Sequence, residues 1–116
     1  MQNLCIAYQD ILRKHKLYAT NTTGRVIEEV TNLKIHKLLI GHFGGMQQMG
    51  AKISNNEIDL LIFLQDPANQ KRIPDFYNIL SLCDKYNIPC ATNLPTAEVL
   101  ILALDRGDLD WRNMYK

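Results

Sequence analysis

The chain has 116 residues, with 13 Lys and Arg against 12 Asp and Glu, for a formal net charge of +1. That length suits a single domain over residues 1–116 with a real core, and the near-neutral charge argues against an extended nucleic-acid footprint, which gathers cations well beyond the acids. The longest apolar runs, residues 60–64 and 99–104, fall far short of a membrane span, and the first residues lack the order of a signal peptide; a cytoplasmic protein without a membrane partner is expected.

Leu4, Ala7, Tyr8, Ile11, Leu12 and His15 recur at helical spacing and predict an opening amphipathic helix over residues 3–15. A strand follows over 16–20, then the polar stretch Thr20-Asn21-Thr22-Thr23-Gly24, then a helix over 25–33. A strand end meeting a helix start presents backbone N–H groups with no partner inside the helix, and the helix dipole adds partial positive charge. Thr22 and Thr23 add hydroxyl donors and Gly24 allows close backbone approach, so this junction is prepared for a phosphate. A lone Thr or Asn there would be read as a helix cap; Thr20, Thr22 and Thr23 together, with a second glycine-rich loop downstream, favour the anion site.

The next elements are a strand over 35–40 ending at Gly41, and a glycine-initiated helix over 46–54 behind Gly44 and Gly45. Lys34, His36 and Lys37 form a small basic cluster, read as a solvated face. Residues 59–64 are an apolar run of strand length, suited to a parallel strand covered on both faces. A polar, proline-containing loop leads to a helix over 74–86, a short strand over 89–93, and a helix over 96–104 with Thr96 as its cap. Trp111 and Tyr115 are read as covering the core or an interface. Cys5, Cys83 and Cys90 have no metal-like spacing and are read as small, reduced core residues; no metal or cofactor is expected.

Alternation of strands and helices predicts an α/β fold, a parallel sheet in a three-layer sandwich. Ligands of such sheets sit at the carboxyl ends of the strands, here in the loops at 20–24, 41–47, 65–74 and 92–96.

Four pieces, L-Y-A-T-N-T-T-G at 17–24, G-H-F-G-G-M-Q-Q-M-G-A at 41–51, I-D-L-L-I-F-L-Q-D-P at 58–67 and N-I-P-C-A-T-N-L-P-T-A at 87–97, resemble the methylglyoxal synthase family. Enzymes of that kind release phosphate from dihydroxyacetone phosphate, and the same fold serves as a regulatory domain in carbamoyl phosphate synthetase and in a bifunctional purine-forming enzyme. The resemblance implies phosphate-binding roles for Thr20, Thr22, Thr23 and Gly41, with Gly24, His42, Gly44, Gly45 and Arg72 as further phosphate-facing candidates. It places Asp66 and Asp75 on the two acidic positions of the third loop.

The resemblance also has departures. The family's catalytic base is an aspartate in G-G-D-Q-Q, and Met46 stands in its place; a thioether cannot take a proton from a carbon acid. Arg72 stands about where the family has a histidine that polarises the substrate carbonyl. The family's first strand, with its Ala-His-Asp motif, has no match, so the sheet is expected to lack that strand. The main expectation is therefore a non-catalytic domain that senses or sequesters a phosphorylated small molecule or nucleotide, a cyclic nucleotide signal among them. The alternative is an active carbon–oxygen lyase, methylglyoxal synthase, with Asp66 or Asp75 as base. A homo-oligomer is expected on either reading.

Overall fold

The structure, a computed structural model, describes residues 2–38, 45–64 and 76–115. The chain divides into two compact units, residues 1–49 and 50–116.

The first unit opens with α1 (Gln2–Ala7) and α2 (Gln9–Leu12), separated at Tyr8, where φ −115° and ψ 21° leave the helical region. The expected opening helix is thus two short ones, and a strand reading of this segment is excluded. β1 (Leu17–Thr20) runs parallel to β2 (Ile35–Leu38), with Leu17 opposite Ile35 and Thr20 opposite Leu38. Between them lies α3 (Asn21–Val30), which packs on both strands and on α1. Leu4, Cys5, Leu12, Ile27, Leu33, Ile35 and Leu38 are the buried apolar side chains of this unit up to residue 38; removing each Leu or Ile from water contributes about 1.5–3 kcal/mol.

The end of α3 is tied to β2. Thr31 Oγ1 donates to the Ile27 carbonyl at 2.8 Å and accepts from Leu33 N–H at 3.2 Å, which turns the chain. Ile35 N–H donates to Glu28 Oε2 at 3.0 Å, and the Lys37 ammonium pairs with the same carboxylate. These two partners, the ammonium first, hold the Glu28 carboxyl below its ordinary range.

α4 (Gly45–Ser54) leads into the second unit. There β3 (Leu61–Ile62) pairs in parallel with β4 (Cys90–Ala91), Leu61 opposite Cys90. α5 (Phe76–Lys85) precedes β4, α6 (Leu94–Asp105) follows it, and a 3-10 helix spans Asp110–Tyr115. Ile53, Cys83 and Ile101 are the most completely buried large side chains. The strands are shorter than the apolar runs that predict them, although Leu61 N–H and Phe63 N–H extend the ladder to the carbonyls of Pro89 at 3.0 Å and Ala91 at 2.8 Å.

Two helices of this unit end alike. After α4, Asn56 takes φ 58°, and Glu57 N–H returns to the Lys52 carbonyl at 2.9 Å; after α5, Asn87 takes φ 57°, and Ile88 N–H returns to the Cys83 carbonyl at 2.8 Å. The six-residue return with a left-handed residue is a Schellman ending, and Asn is the non-glycine residue that tolerates it best. Arg112, only 3% exposed, locks both endings. Its guanidinium donates to Asn56 Oδ1 at 2.9 Å, to the Asn87 carbonyl, to the Ile58 carbonyl at 3.3 Å and to Asp59 Oδ1 at 3.2 Å. Trp111, expected to cover the core or an interface, is 45% exposed in the single chain, with the Arg112 guanidinium 5.6 Å from its ring centre.

Candidate functional site

The carboxyl end of β1 runs directly into α3 with no intervening loop. Asn21, Thr22, Thr23 and Gly24 are the first helical turn rather than a loop before a helix at 25. Thr20 is the residue ahead of the helix, extended at φ −62° and ψ 156°, and its side chain caps none of the N–H groups of that turn. Instead Thr20 Oγ1 donates to Thr23 Oγ1 at 3.2 Å. The first-turn N–H groups, which have no acceptor within a helix, therefore lack the usual side-chain cap. Thr22 is exposed and Thr20, Asn21 and Thr23 are half-buried. Hydroxyls at 20, 22 and 23, first-turn N–H groups and the positive end of a ten-residue helix converge on one short stretch, an arrangement chemically matched to a phosphate oxygen set.

Gly24 also has a packing role. It is buried, and a Cβ there would lie 3.0 Å from Lys37 Cγ and 3.2 Å from Ile35 Cγ2. Its missing side chain lets α3 settle on β2, a packing duty that its sequence context does not reveal. Asn21, in contrast, was not singled out from the sequence, yet it is the first residue of the helix beside Thr20.

The carboxyl end of β4 is built otherwise. Asn93 caps α6, its Oδ1 accepting from Thr96 N–H at 3.0 Å. Thr96 is the receiver of the cap and not the cap itself.

Gly45 opens α4 with Met46 next to it, as the glycine-initiated helix predicts. Gly41, His42, Gly44, Asp66, Arg72 and Asp75 lie outside the described residues. Cys5 and Cys83 are buried as expected, but Cys90 is only half-buried. A hydrogen bond between Cys83 and Cys90 lowers the Cys90 thiol and, together with burial, raises that of Cys83. Among the described residues no group of three His, Cys, Asp or Glu is placed to hold a metal, and no helix is long and apolar enough to cross a membrane.

A family model described as an MGS-like domain matches residues 1–92. The chain belongs to the methylglyoxal synthase-like family. It is 56% identical over 115 residues to a methylglyoxal synthase of Caldicellulosiruptor saccharolyticus, covering 98% of this chain and 82% of that protein. Identity is 51% over 117 aligned positions with the methylglyoxal synthase of Thermoanaerobacterium thermosaccharolyticum, covering 100% of this chain and 87% of the relative. The crystal structure of methylglyoxal synthase from Elizabethkingia anophelis matches with a TM-score of 0.78 at 33% identity, over 85% of this chain and 66% of that one. The α/β fold with parallel strands is that of the family.

These relatives overturn the expectation of a non-catalytic domain for sensing or sequestration. Proteins 50–56% identical across nearly all of this chain are named for an enzyme, and neither nucleotide binding nor sequestration has support among them. The departures at Met46, at Arg72 and in the first strand weigh less than agreement along nearly all of the chain.

Proposed function

We propose that the chain is a methylglyoxal synthase, a carbon–oxygen lyase acting on dihydroxyacetone phosphate. The observation that carries the reading is identity of 56% over 98% of the chain with a protein of that name; the open start of α3 supplies a matching chemical feature. In the reaction a base takes a proton from the carbon beside the ketone, the electron pair moves into the carbonyl to give an enediolate, and collapse of the enediolate breaks the carbon–oxygen bond to phosphate. Methylglyoxal forms after proton return, so substrate carbon, oxygen and phosphorus are all accounted for in methylglyoxal and inorganic phosphate. Thr20, Thr22, Thr23 and the N–H groups of the first turn of α3 hold the phosphate and stabilise the charge it gains on leaving. Arg72 adds a cation. The base is Asp66 or Asp75, because Met46 has no basic group at neutral pH.

The test is release of methylglyoxal and phosphate in equal amounts from dihydroxyacetone phosphate by the purified chain. Turnover abolished by Asp66→Asn or by Asp75→Asn supports the reading and identifies the base. Met46→Asp, which returns a carboxylate to the family's position, should accelerate the parent. No turnover above a buffer blank would overturn the assignment.

The working form is a homo-oligomer of this chain. α6 carries apolar side chains on its outer face as well as its inner one: Ala97 and Ile101 are buried, while Val99 is 62% and Leu102 42% exposed. A helix apolar on its outer face is one that another surface covers, and a second copy is the occupant we assign. Light scattering should give more than the monomer mass, and Val99→Lys with Leu102→Lys should reduce it; a monomer mass for the parent removes the assignment.

A further inference from the structure

We propose a second anion site, at the amino-terminal edge of β1 and β2, for a compact anion carrying two linked phosphoryl groups. A cavity of about 230 Å³ opens there, and its lining residues include Arg13, His15, Lys16, Lys34 and His36, with Asn32 beside them. Among the described residues no carboxylate lines it. In a chain whose formal charge is only +1, three permanent cations and two imidazoles around one cavity are a pronounced local imbalance.

The topology makes this site separate from the one at Thr20. β1 and β2 are parallel, so residues 13–17 and 32–36 come together at the beginning of both strands, whereas Thr20 ends β1. Three residue steps from Leu17 to Thr20, at about 3.3 Å each, set the two places about 10 Å apart. Tyr18 arranges part of the basic rim: the Lys16 ammonium lies 5.4 Å above its ring, and the His36 ring stands 5.4 Å away, tilted by 39°. Arg13 pairs with Asp10 at 3.5 Å, and that aspartate side chain is 91% exposed. Exposed pairs of this kind contribute little, so Arg13 can exchange that partner for a ligand.

The charge count selects the class of ligand. Arg13, Lys16 and Lys34 place like charges around one cavity, and a monoanion offsets only one of them. A diphosphate group brings several negative charges on adjacent centres, and pairs of its oxygens can take the planar fork of the Arg13 guanidinium while others meet the point charges of Lys16 and Lys34.

Thermal unfolding of the full chain tests the site, with inorganic pyrophosphate and methyl diphosphate as probes and sodium sulfate at equal ionic strength as the reference. The expected result is a saturable rise in Tm with a diphosphate, larger than with sulfate. A rise with either diphosphate supports the site, and their ranking separates the free anion from an ester. The rise should persist in Thr22→Val with Thr23→Val and disappear in Arg13→Gln with Lys34→Gln. Both of the latter residues are exposed, so that variant should keep the parent's Tm without anion; Lys34→Gln alone, with a weakened rise, is the check should the double variant unfold. A rise no larger than that with sulfate would overturn the proposal. So would a rise lost in the valine variant and kept in the glutamine one, which assigns the anion to the start of α3. Because the readout is stability, failure here leaves the proposed lyase activity standing, and absence of turnover leaves this site standing.

Discussion

Two junctions in this molecule have the same topology and opposite chemistry. At each, a short parallel strand leads into a helix, β1 directly into α3 and β4 through Thr92 and Asn93 into α6. At the second, Asn93 spends its side-chain oxygen on Thr96 N–H, and the helix start is closed. At the first, Thr20 donates its hydroxyl to Thr23 Oγ1 and leaves the helix start without a side-chain cap. An anion can complete the first junction, while the second is already complete. The difference teaches that candidate binding helices are found by asking which start lacks its cap, not by counting cap-forming residues, since both starts contain them.

The most direct way to break the contrast is to close the open junction. Thr20→Asp places a strong capping carboxylate where the substrate phosphate is proposed to bind. Stability should rise by up to about 1 kcal/mol, while kcat/KM for dihydroxyacetone phosphate falls about a thousandfold; thermal melts and the phosphate-release assay read the two effects. An unchanged kcat/KM would show that this helix start does not hold the substrate.

Replacing Thr22 and Thr23 together by Val removes two hydroxyls at nearly constant shape. About 1.5–3 kcal/mol is at stake for each hydrogen bond to a charged group, so kcat/KM should drop roughly a hundredfold or more, with little change in Tm.

At the closed junction the signs reverse. Asn93→Ala should cost about 1 kcal/mol of stability, seen as a lower Tm or denaturation midpoint, and should leave turnover far less affected than either change at α3.

The smallest effect concerns the support beneath α3. The Lys37 ammonium and Ile35 N–H lower the Glu28 carboxyl below its unfolded value of about pH 4.3. The stabilisation is complete above that unfolded value and is lost as pH falls through the lower folded one. Glu28→Gln should flatten this part of the acid limb of the stability profile, with a modest loss at neutral pH. An acid limb of unchanged shape would remove Glu28 from the account.

The alternation of strands and helices was legible because apolar spacing records burial, and residues such as Ile27, Ile53, Ile79 and Ile101 lie where the periodicity puts them. The start of α3 was not, because Asn21, Thr22, Thr23 and Gly24 are residue types that favour turns; in a first helical turn their preferences cost little. The cap of α6 was misplaced by three residues, although Pro95 carries the signal: proline suits the first turn of a helix and so points back to Asn93. The threonines clustered at the start of α3 were legible as a constellation, but the packing duty of Gly24 depends on Lys37 and Ile35 across a strand pair. Arg112 left no local trace, since its partners lie 25 to 56 residues away.

Those separations bear on the order in which the chain acquires its structure during synthesis. The second unit contains β3, whose preceding residues Asn56, Ile58 and Asp59 wait for a guanidinium made more than fifty residues later. Contacts so distant in sequence form late and slowly, because a long loop must close before they contribute. On a translating ribosome the β1–α3–β2 segment can settle from neighbouring residues alone, whereas the start of β3 keeps its polar groups unsatisfied by Arg112 until residue 112 has emerged. A nascent chain halted short of that point should therefore carry a native-like first unit joined to a second one that is still protease-sensitive.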